Sequence, residues 1–278
     1  MTMRYGIGEW FGEPLQTMTV ERRQHLARAA LRETSPPPCP FQRGNPPCSK
    51  VGGVCSIQAG ESRPVITCPR RFDVGDLLPL WLGEIVGFSD IYLAREVPFM
   101  RSPSTGRPAG RIDLVVSGDG NAASWFGLEV QAVYFSGKGM QADFELLAQN
   151  RDSEPPPPTE LRRPDWRSSS AKRLMPQLQV KCPTMRRWGT KLAVAVDMPF
   201  FQAIGGPSTD PSHDLNEGDI VWLVPQMDED YRLTTHHWEV LSLEDSSDKL
   251  LSAETVRRSE FEDALRVRLT RIPANEEG

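Results

Sequence analysis

The sequence predicts an α/β fold (of the α+β kind), and three observations on the 278 residues carry that expectation. Segments rich in branched and aromatic residues, typical of strands, alternate through the middle of the chain with segments of helical period. Hydrophobic residues make up 38% of the chain, enough for a sizeable buried core. No run of about 18 consecutive apolar residues occurs, so a membrane-spanning helix is not expected. The N-terminal residues have no basic start followed by an apolar stretch, so a secretory signal is not expected either.

Residues 19–33 (TVERRQHLARAALRE) read as a helix with Val20, Leu26, Ala27, Ala30 and Leu31 on one face. Residues 34–72 carry Pro36, Pro37, Pro38, Pro46, Pro47 and the pair Gly52-Gly53, with little periodicity, and are expected to be loop without a core of their own. Residues 76–87 (DLLPLWLGEIVG) fit a short buried helix whose Pro79 sits in the first turn, where a missing N–H does no harm. Strands are expected at 91–97, 111–117 and 125–135, and a helix at 137–149. Pro155 to Pro158 mark an extended loop. A second helix is expected at 168–180, strands at 191–197, 219–225 and 231–241, and a closing helix at about 252–270. The glycine-rich start, GIGEWFG, reads as a turn because it lacks the Gly-Lys-Ser/Thr of a phosphate loop.

Four of the five cysteines crowd together as Cys39-x8-Cys48-x6-Cys55-x12-Cys68. Nothing in the sequence points to export, so the chain is expected in the cytoplasm, where such a cluster reads as a metal site rather than two disulfides. A bound metal would tie these loops together. Cys182 reads as a buried thiol, His25 as solvated, and His236 and His237 as strand neighbours facing opposite ways.

The net charge of -5 hides a strong asymmetry. Residues 161–191 hold nine Lys or Arg, Lys181 among them, against the single acid Asp165. Residues 208–278 hold seventeen acids against seven bases. A local cationic stripe suits phosphate binding whatever the total charge, although a solvated helix face has the same composition.

The candidate chemistry sits on neighbouring strands. Asp113 lies in RIDLVVS, while Glu129 and Gln131 in WFGLEVQAVYF are two apart and share a face. Two carboxylates brought together by adjacent strands repel unless a cation lies between them. Mg²⁺ takes oxygen ligands and keeps waters that attack a phosphorus. Gln131 would orient that water or the scissile phosphate by hydrogen bonding, without taking a proton. Glu96, on the preceding strand, is a third candidate carboxylate. Asp followed some sixteen residues later by Glu-x-Gln is common on spacing alone, but polar groups on strands this apolar need a buried partner.

These residues together resemble the NotI-type restriction endonucleases of the PD-(D/E)XK nuclease superfamily. The superfamily core runs helix, three strands, helix, strand, which fits 76–87, 91–97, 111–117, 125–135, 137–149 and 191–197. Members usually end the motif in Lys; the NotI type is similar to this chain in using Gln, as in Glu129-Val130-Gln131. It also carries a four-cysteine, rubredoxin-like iron site in its N-terminal region, matched here by CPFQRG, PPCSK, GGVCS and ITCPRRF. The resemblance spans about residues 36–200.

The resemblance implies a mixed central sheet flanked by helices, divided as an N-terminal metal-binding region (1–72) and a catalytic domain with an acidic C-terminal extension (73–278). Asp113 and Glu129 would bind catalytic Mg²⁺, Gln131 would take the usual Lys position, and Glu96 would assist. Cys39, Cys48, Cys55 and Cys68 would bind structural iron, whereas the thiolates alone accept either metal and the bare sequence favours zinc, the commoner structural metal. Arg162, Arg163, Arg167, Lys172, Arg173, Arg186 and Arg187 become candidates for contacting phosphates or guanine edges. The implied activity is hydrolysis of double-stranded DNA at a specific, GC-rich palindromic site, leaving 5′-phosphate ends. A palindrome cut on both strands implies a homodimer, and a restriction-modification pair implies a cognate methyltransferase. Two other classes keep some of these features: a non-cleaving DNA-binding protein on the same fold, and an iron or zinc redox protein.

Overall fold

A computed structural model describes residues 4–120, 122–251 and 256–270. The chain opens with strands β1 (Gly6–Trp10) and β2 (Glu13–Pro14), then helix α1 (Val20–Ala30). Two short strands, β3 (Val54–Gln58) and β4 (Val65–Ile66), complete a first sheet of order β2-β1-β3-β4. Helix α2 (Leu77–Val86) leads into β5 (Tyr92–Arg101), β6 (Pro108–Ser117) and β7 (Trp125–Val130). Strand β8 (Tyr134–Gly137), helix α3 (Gln141–Gln149) and strand β9 (Arg162–Asp165) follow, with β8 and β9 paired as a separate ribbon. Helix α4 (Trp166–Ser169) runs through a π turn at Ser170–Leu174 into α5 (Met175–Arg187). The rest comprises β10 (Leu192–Ala195), α6 (Met198–Ala203), β11 (Ile220–Met227), β12 (Leu233–Leu241), α7 (Leu243–Leu251) and α8 (Arg258–Arg268).

The central sheet is mixed, with six strands in the order β12-β11-β10-β7-β6-β5. Strands β5, β6 and β7 form an antiparallel meander; β7, β10 and β11 run parallel, and β12 returns antiparallel. One face is covered by α2 through Leu78 and Leu82. The other is covered by α5 through Leu178, Cys182 and Met185, with Phe200, Phe201 and Leu250 from α6 and α7. The same buried cluster takes in Trp10, Leu26 and Ile57, so the first sheet and α1 share a core with the central sheet. Among the described residues no helix is long and apolar enough to cross a membrane.

Several elements differ from the sequence reading. In GIGEWFG only Phe11-Gly12 form a turn, and Gly6–Trp10 is a strand: Ile7 and Trp10 are buried, and Gly6 admits Pro158 so closely that a Cβ would lie 2.6 Å from its Cγ. Residues 34–72 do contain strands, because β3 and β4 bury both faces and so lack alternation. The expected 125–135 strand stops at Val130, and the helix from 137 begins at Gln141 because residues 134–137 pair with β9. The helix expected at 168–180 extends to Arg187. The closing helix expected at about 252–270 corresponds to α8, while α7 before it was not expected; residues 252–255 lie outside the described residues.

Asp197 links the two sheets. Completely buried, it caps α6 by accepting from Phe200 N (3.1 Å) and also accepts from Ile66 N in β4 (2.6 Å). Burial pushes its carboxyl up to about 7, against the pull of those donors. Between about pH 4 and pH 7 the folded chain thus binds a proton that the unfolded chain has released. Stability should decline as pH rises through that window and level off above it. Asp197→Asn, which keeps a capping acceptor, should flatten the decline, as urea midpoints at pH 5 and pH 8 will measure.

Candidate active site

The meander sets the geometry of the site. Strand β6 pairs β7 with Leu114 opposite Leu128, which puts Asp113 and Glu129 opposite one another one step further on. On the other side, Arg95 pairs Leu114 and Val97 pairs Ile112, so Glu96 stands across from Asp113. Three carboxylates thus form a row across three strands. Asp113 lies in the middle of β6, which begins three residues before the expected 111–117, and its Oδ2 accepts from Val130 N at 3.0 Å where a ladder carbonyl would otherwise serve. Glu96 has φ +52°, a left-handed backbone that costs a non-glycine residue energy, and its exposed side chain reaches Arg111 at 3.7 Å.

Burial and mutual repulsion dominate the electrostatics. Glu129, 2% exposed, has its carboxyl pushed up to about 7, first by burial and then by the charge of Asp113. Asp113 is raised as well, chiefly by burial, with Glu96 adding to the effect and Val130 N–H and Lys181 opposing it. Lys181, reaching down from α5, places Nζ 2.6 Å from Glu129 Oε1, at angles outside hydrogen-bond geometry, and donates to Gln177 Oε1 at 2.9 Å. Both Glu129 oxygens are buried without a hydrogen bond of good geometry, although the Lys181 ammonium and the Asp113 backbone N–H lie close enough to oppose the rise. A buried carboxylate oxygen without a donor is costly, and a hard cation shared with Asp113 would satisfy it.

Asp113, Glu96 and Gln131 line a cleft of about 640 Å³, and Glu129 is buried beside Asp113. Gln131 donates its amide to Ala132 O while its backbone N–H bonds Ala195 O in β10. The opposite wall comes from the cysteine-rich region: Lys50, Thr67, Cys68 and Arg70.

Cys39, Cys48, Cys55 and Cys68 surround one small enclosed cavity of about 10 Å³, and none is in a disulfide. Their loops are tied by Cys39 N to Pro46 O (2.7 Å), Cys48 N to Pro37 O (2.9 Å) and Cys68 N to Cys55 O (3.1 Å). Burial pushes the Cys48 and Cys55 thiols up, and neighbouring sulfurs add to it. The Lys50 ammonium lies within electrostatic reach of three of the sulfurs. The donor set and convergence suit a soft metal. Among the described residues, however, no group of three or more His, Cys, Asp or Glu side chains, neither the cysteines nor the row of carboxylates, is placed closely enough to hold a metal ion.

The basic stretch divides. Arg163, Arg167, Lys172 and Arg173 are exposed; Arg173 adjoins the cleft by stacking 3.8 Å over Tyr134, a cleft residue, and Arg163 lies on β9 opposite Ser136. Arg162 departs from expectation. Its buried guanidinium pairs with Asp143 and donates to Lys138 O (3.0 Å), so it braces β9 against α3 and faces no solvent. Arg186 and Arg187 sit at the far end of α5, about 15 Å along the axis from Gln177, which lines the cleft. Arg186 there approaches Asp219 at 3.6 Å.

Lys181 was counted in the sequence only as one more base, and Lys50 and Arg70 were not singled out. The available signal for Lys181 was its spacing from Leu178, Cys182 and Met185, which places it on the buried face of α5.

Searches of curated proteins and of solved structures return no match. The family model for "Restriction endonuclease NotI" matches residues 22–239, a span that includes the cysteine cluster, the row of carboxylates and the basic stretch. With most of its length matched, the chain belongs to the NotI restriction endonuclease family.

Proposed function

We propose that this type II restriction endonuclease, a site-specific deoxyribonuclease by its family, cuts DNA on a PD-(D/E)XK-like core with Mg²⁺ held between Asp113 and Glu129. The observation that carries the reading is the row Glu96, Asp113 and Glu129 beside the cleft, with an unpartnered Glu129 oxygen at its buried end. Bound Mg²⁺ would supply an activated water and neutralise charge developing on the phosphate. Asp113 keeps one oxygen on Val130 N–H, which fixes its rotamer and leaves the other for a ligand. Gln131, whose Nε2 donates to Ala132 O, would offer its Oε1 as an acceptor that orients the attacking water. Lys50 and Arg70 hold the phosphate backbone from the opposite wall. The products carry 5′-phosphate and 3′-hydroxyl ends.

The site cut is a GC-rich palindrome, read by two copies of the chain arranged about a twofold axis. A methyltransferase acting on the same sequence protects the host DNA. Incubating purified protein with Mg²⁺ and unmethylated genomic DNA should give discrete fragments whose sequenced ends share one motif. A smear, or intact DNA across Mg²⁺ and Mn²⁺, contradicts the proposal.

Arg163, Arg167, Lys172 and Arg173 extend the phosphate-binding surface beyond the cleft. Each single change of Arg163, Arg167 or Lys172 to Ala should weaken DNA binding and lower the slope of log K against log salt by about 1. Arg187→Ala should leave that slope within error, and titrations by fluorescence anisotropy at several salt concentrations will compare them.

Cys39, Cys48, Cys55 and Cys68 hold a structural iron, with zinc the alternative for the same thiolates. The purified chain should carry one such metal by elemental analysis, with visible charge-transfer absorption if it is iron. Cys55→Ser should lose the metal and lower the melting temperature by about 5 °C or more, as a loss of a few kcal/mol does in a chain of this size.

A further inference from the structure

The row of carboxylates collects more negative charge than one divalent ion offsets, and a DNA phosphate adds another. The motif position where a Lys would supply a cation is Gln131, whose amide is neutral. Yet an ammonium does reach the row from a different element. Lys181 lies on α5, across the sheet face from β7, is 5% exposed, and sits 2.6 Å from Glu129 Oε1. Its other polar contact, Gln177 Oε1 at 2.9 Å, belongs to a residue that lines the cleft. The ammonium is thus anchored between the cleft wall and the buried carboxylate.

A buried ion pair is a poor device for stability alone, since desolvating both charges offsets most of their attraction. This pair has a second property. By pairing its charge with Oε1 it leaves Oε2 of Glu129 without an ion-pair partner, while neither oxygen makes a hydrogen bond. Position 181 also falls on the sheet-facing stripe of α5, with Leu178, Cys182 and Met185 buried around it, so the side chain is held inside and meets the cleft only beside Gln177.

We infer that Lys181 is a positioning residue of the cleavage reaction, one that fixes the Glu129 carboxylate in its metal-binding orientation and supplies, from α5, the positive charge that Gln131 does not. The inference rests on the proposed active site. Helix α5 then does two jobs at once: its buried face braces the catalytic carboxylate, and the segment leading into it carries the exposed bases of the DNA surface. That coupling ties DNA engagement along residues 163–173 mechanically to the orientation of Glu129.

The experiment compares wild type, Lys181→Met, Lys181→Gln, Asp113→Asn and the double variant Lys181→Met/Gln131→Lys. Each is assayed for single-turnover cleavage with Mg²⁺ on a plasmid bearing the mapped site, for DNA affinity with Ca²⁺, and for melting temperature. Lys181→Met should cleave at least 100-fold more slowly with DNA affinity within threefold of wild type. The double variant should regain at least tenfold over Lys181→Met, because the ammonium returns to the cleft from the β7 side. Should Lys181→Met fail to fold around an unpaired Glu129, Lys181→Gln, which still reaches that carboxylate, must show the same loss. Cleavage within threefold of wild type in the folded Lys181 variant overturns the inference. So does a loss that follows melting temperature and that Gln131→Lys leaves untouched, for Lys181 then only packs. If Asp113→Asn also cleaves like wild type, the proposed active site itself fails; if it is inactive while Lys181→Gln and Lys181→Met cleave normally, only the role of Lys181 falls.

Discussion

Asp113→Asn should lower the cleavage rate by about 10³-fold or more, which corresponds to about 4 kcal/mol of transition-state stabilisation. The substitution removes the charge of one proposed Mg²⁺ ligand while keeping its shape. Its amide oxygen still accepts from Val130 N–H, now at 3.0 Å from Oδ2, so β6 and β7 stay paired at this point. Melting temperature should therefore stay within a few degrees, and DNA binding in Ca²⁺ should persist through the Arg163 to Arg173 surface. Single-turnover assays beside anisotropy titrations separate the two effects. Loss of binding and cleavage together would place Asp113 in DNA recognition instead of metal binding.

The second large effect concerns stability. Arg162→Met should destabilise the fold by about 3–5 kcal/mol, the usual cost of stranding one member of a buried pair. The stranded partner would be Asp143, which also accepts from Thr159 N (3.0 Å) and Thr159 Oγ1 (3.1 Å) and so fastens the proline-rich loop to α3. The double variant Arg162→Met/Asp143→Leu should recover a good part of the loss, since no isolated charge remains inside. DNA affinity of folded Arg162→Met should stay within about threefold of wild type, unlike that of Arg163→Ala. Urea unfolding and anisotropy measure the two quantities; a stable variant with weakened DNA binding would return Arg162 to the contact surface.

Arg162 and Arg163 illustrate why one-dimensional charge counting stops short. They are adjacent, identical in type and equally part of a cationic stretch, yet β9 alternates its side chains between interior and solvent. Nothing local says which of the two turns inward; pairing with β8 and the position of Asp143 decide it. Lys181 is the same case on a helix. Strands β5 to β7 and β10 to β12 were legible because branched and aromatic residues crowd them. Strands β1, β3 and β4 were not, because β1 carries two glycines, β4 is only two residues long, and β1 and β3 bury both faces and so lack alternation. Helix α7 escaped notice because LEDSSDKLL presents few apolar residues, although Ser242 accepts from Asp245 N (2.9 Å) as a local start signal.

Composition and spacing alone were sufficient for the residue types on offer: acids and an amide on neighbouring strand segments, four clustered thiols, and a concentration of bases. Those properties are local, and they carry the family likeness. Which acids meet, which base is buried against them and which oxygen lacks a partner depended on strand register and on the helix laid across the sheet. Such contacts join residues tens of positions apart, and their energies come from desolvation and pairing, which no isolated segment of the chain possesses.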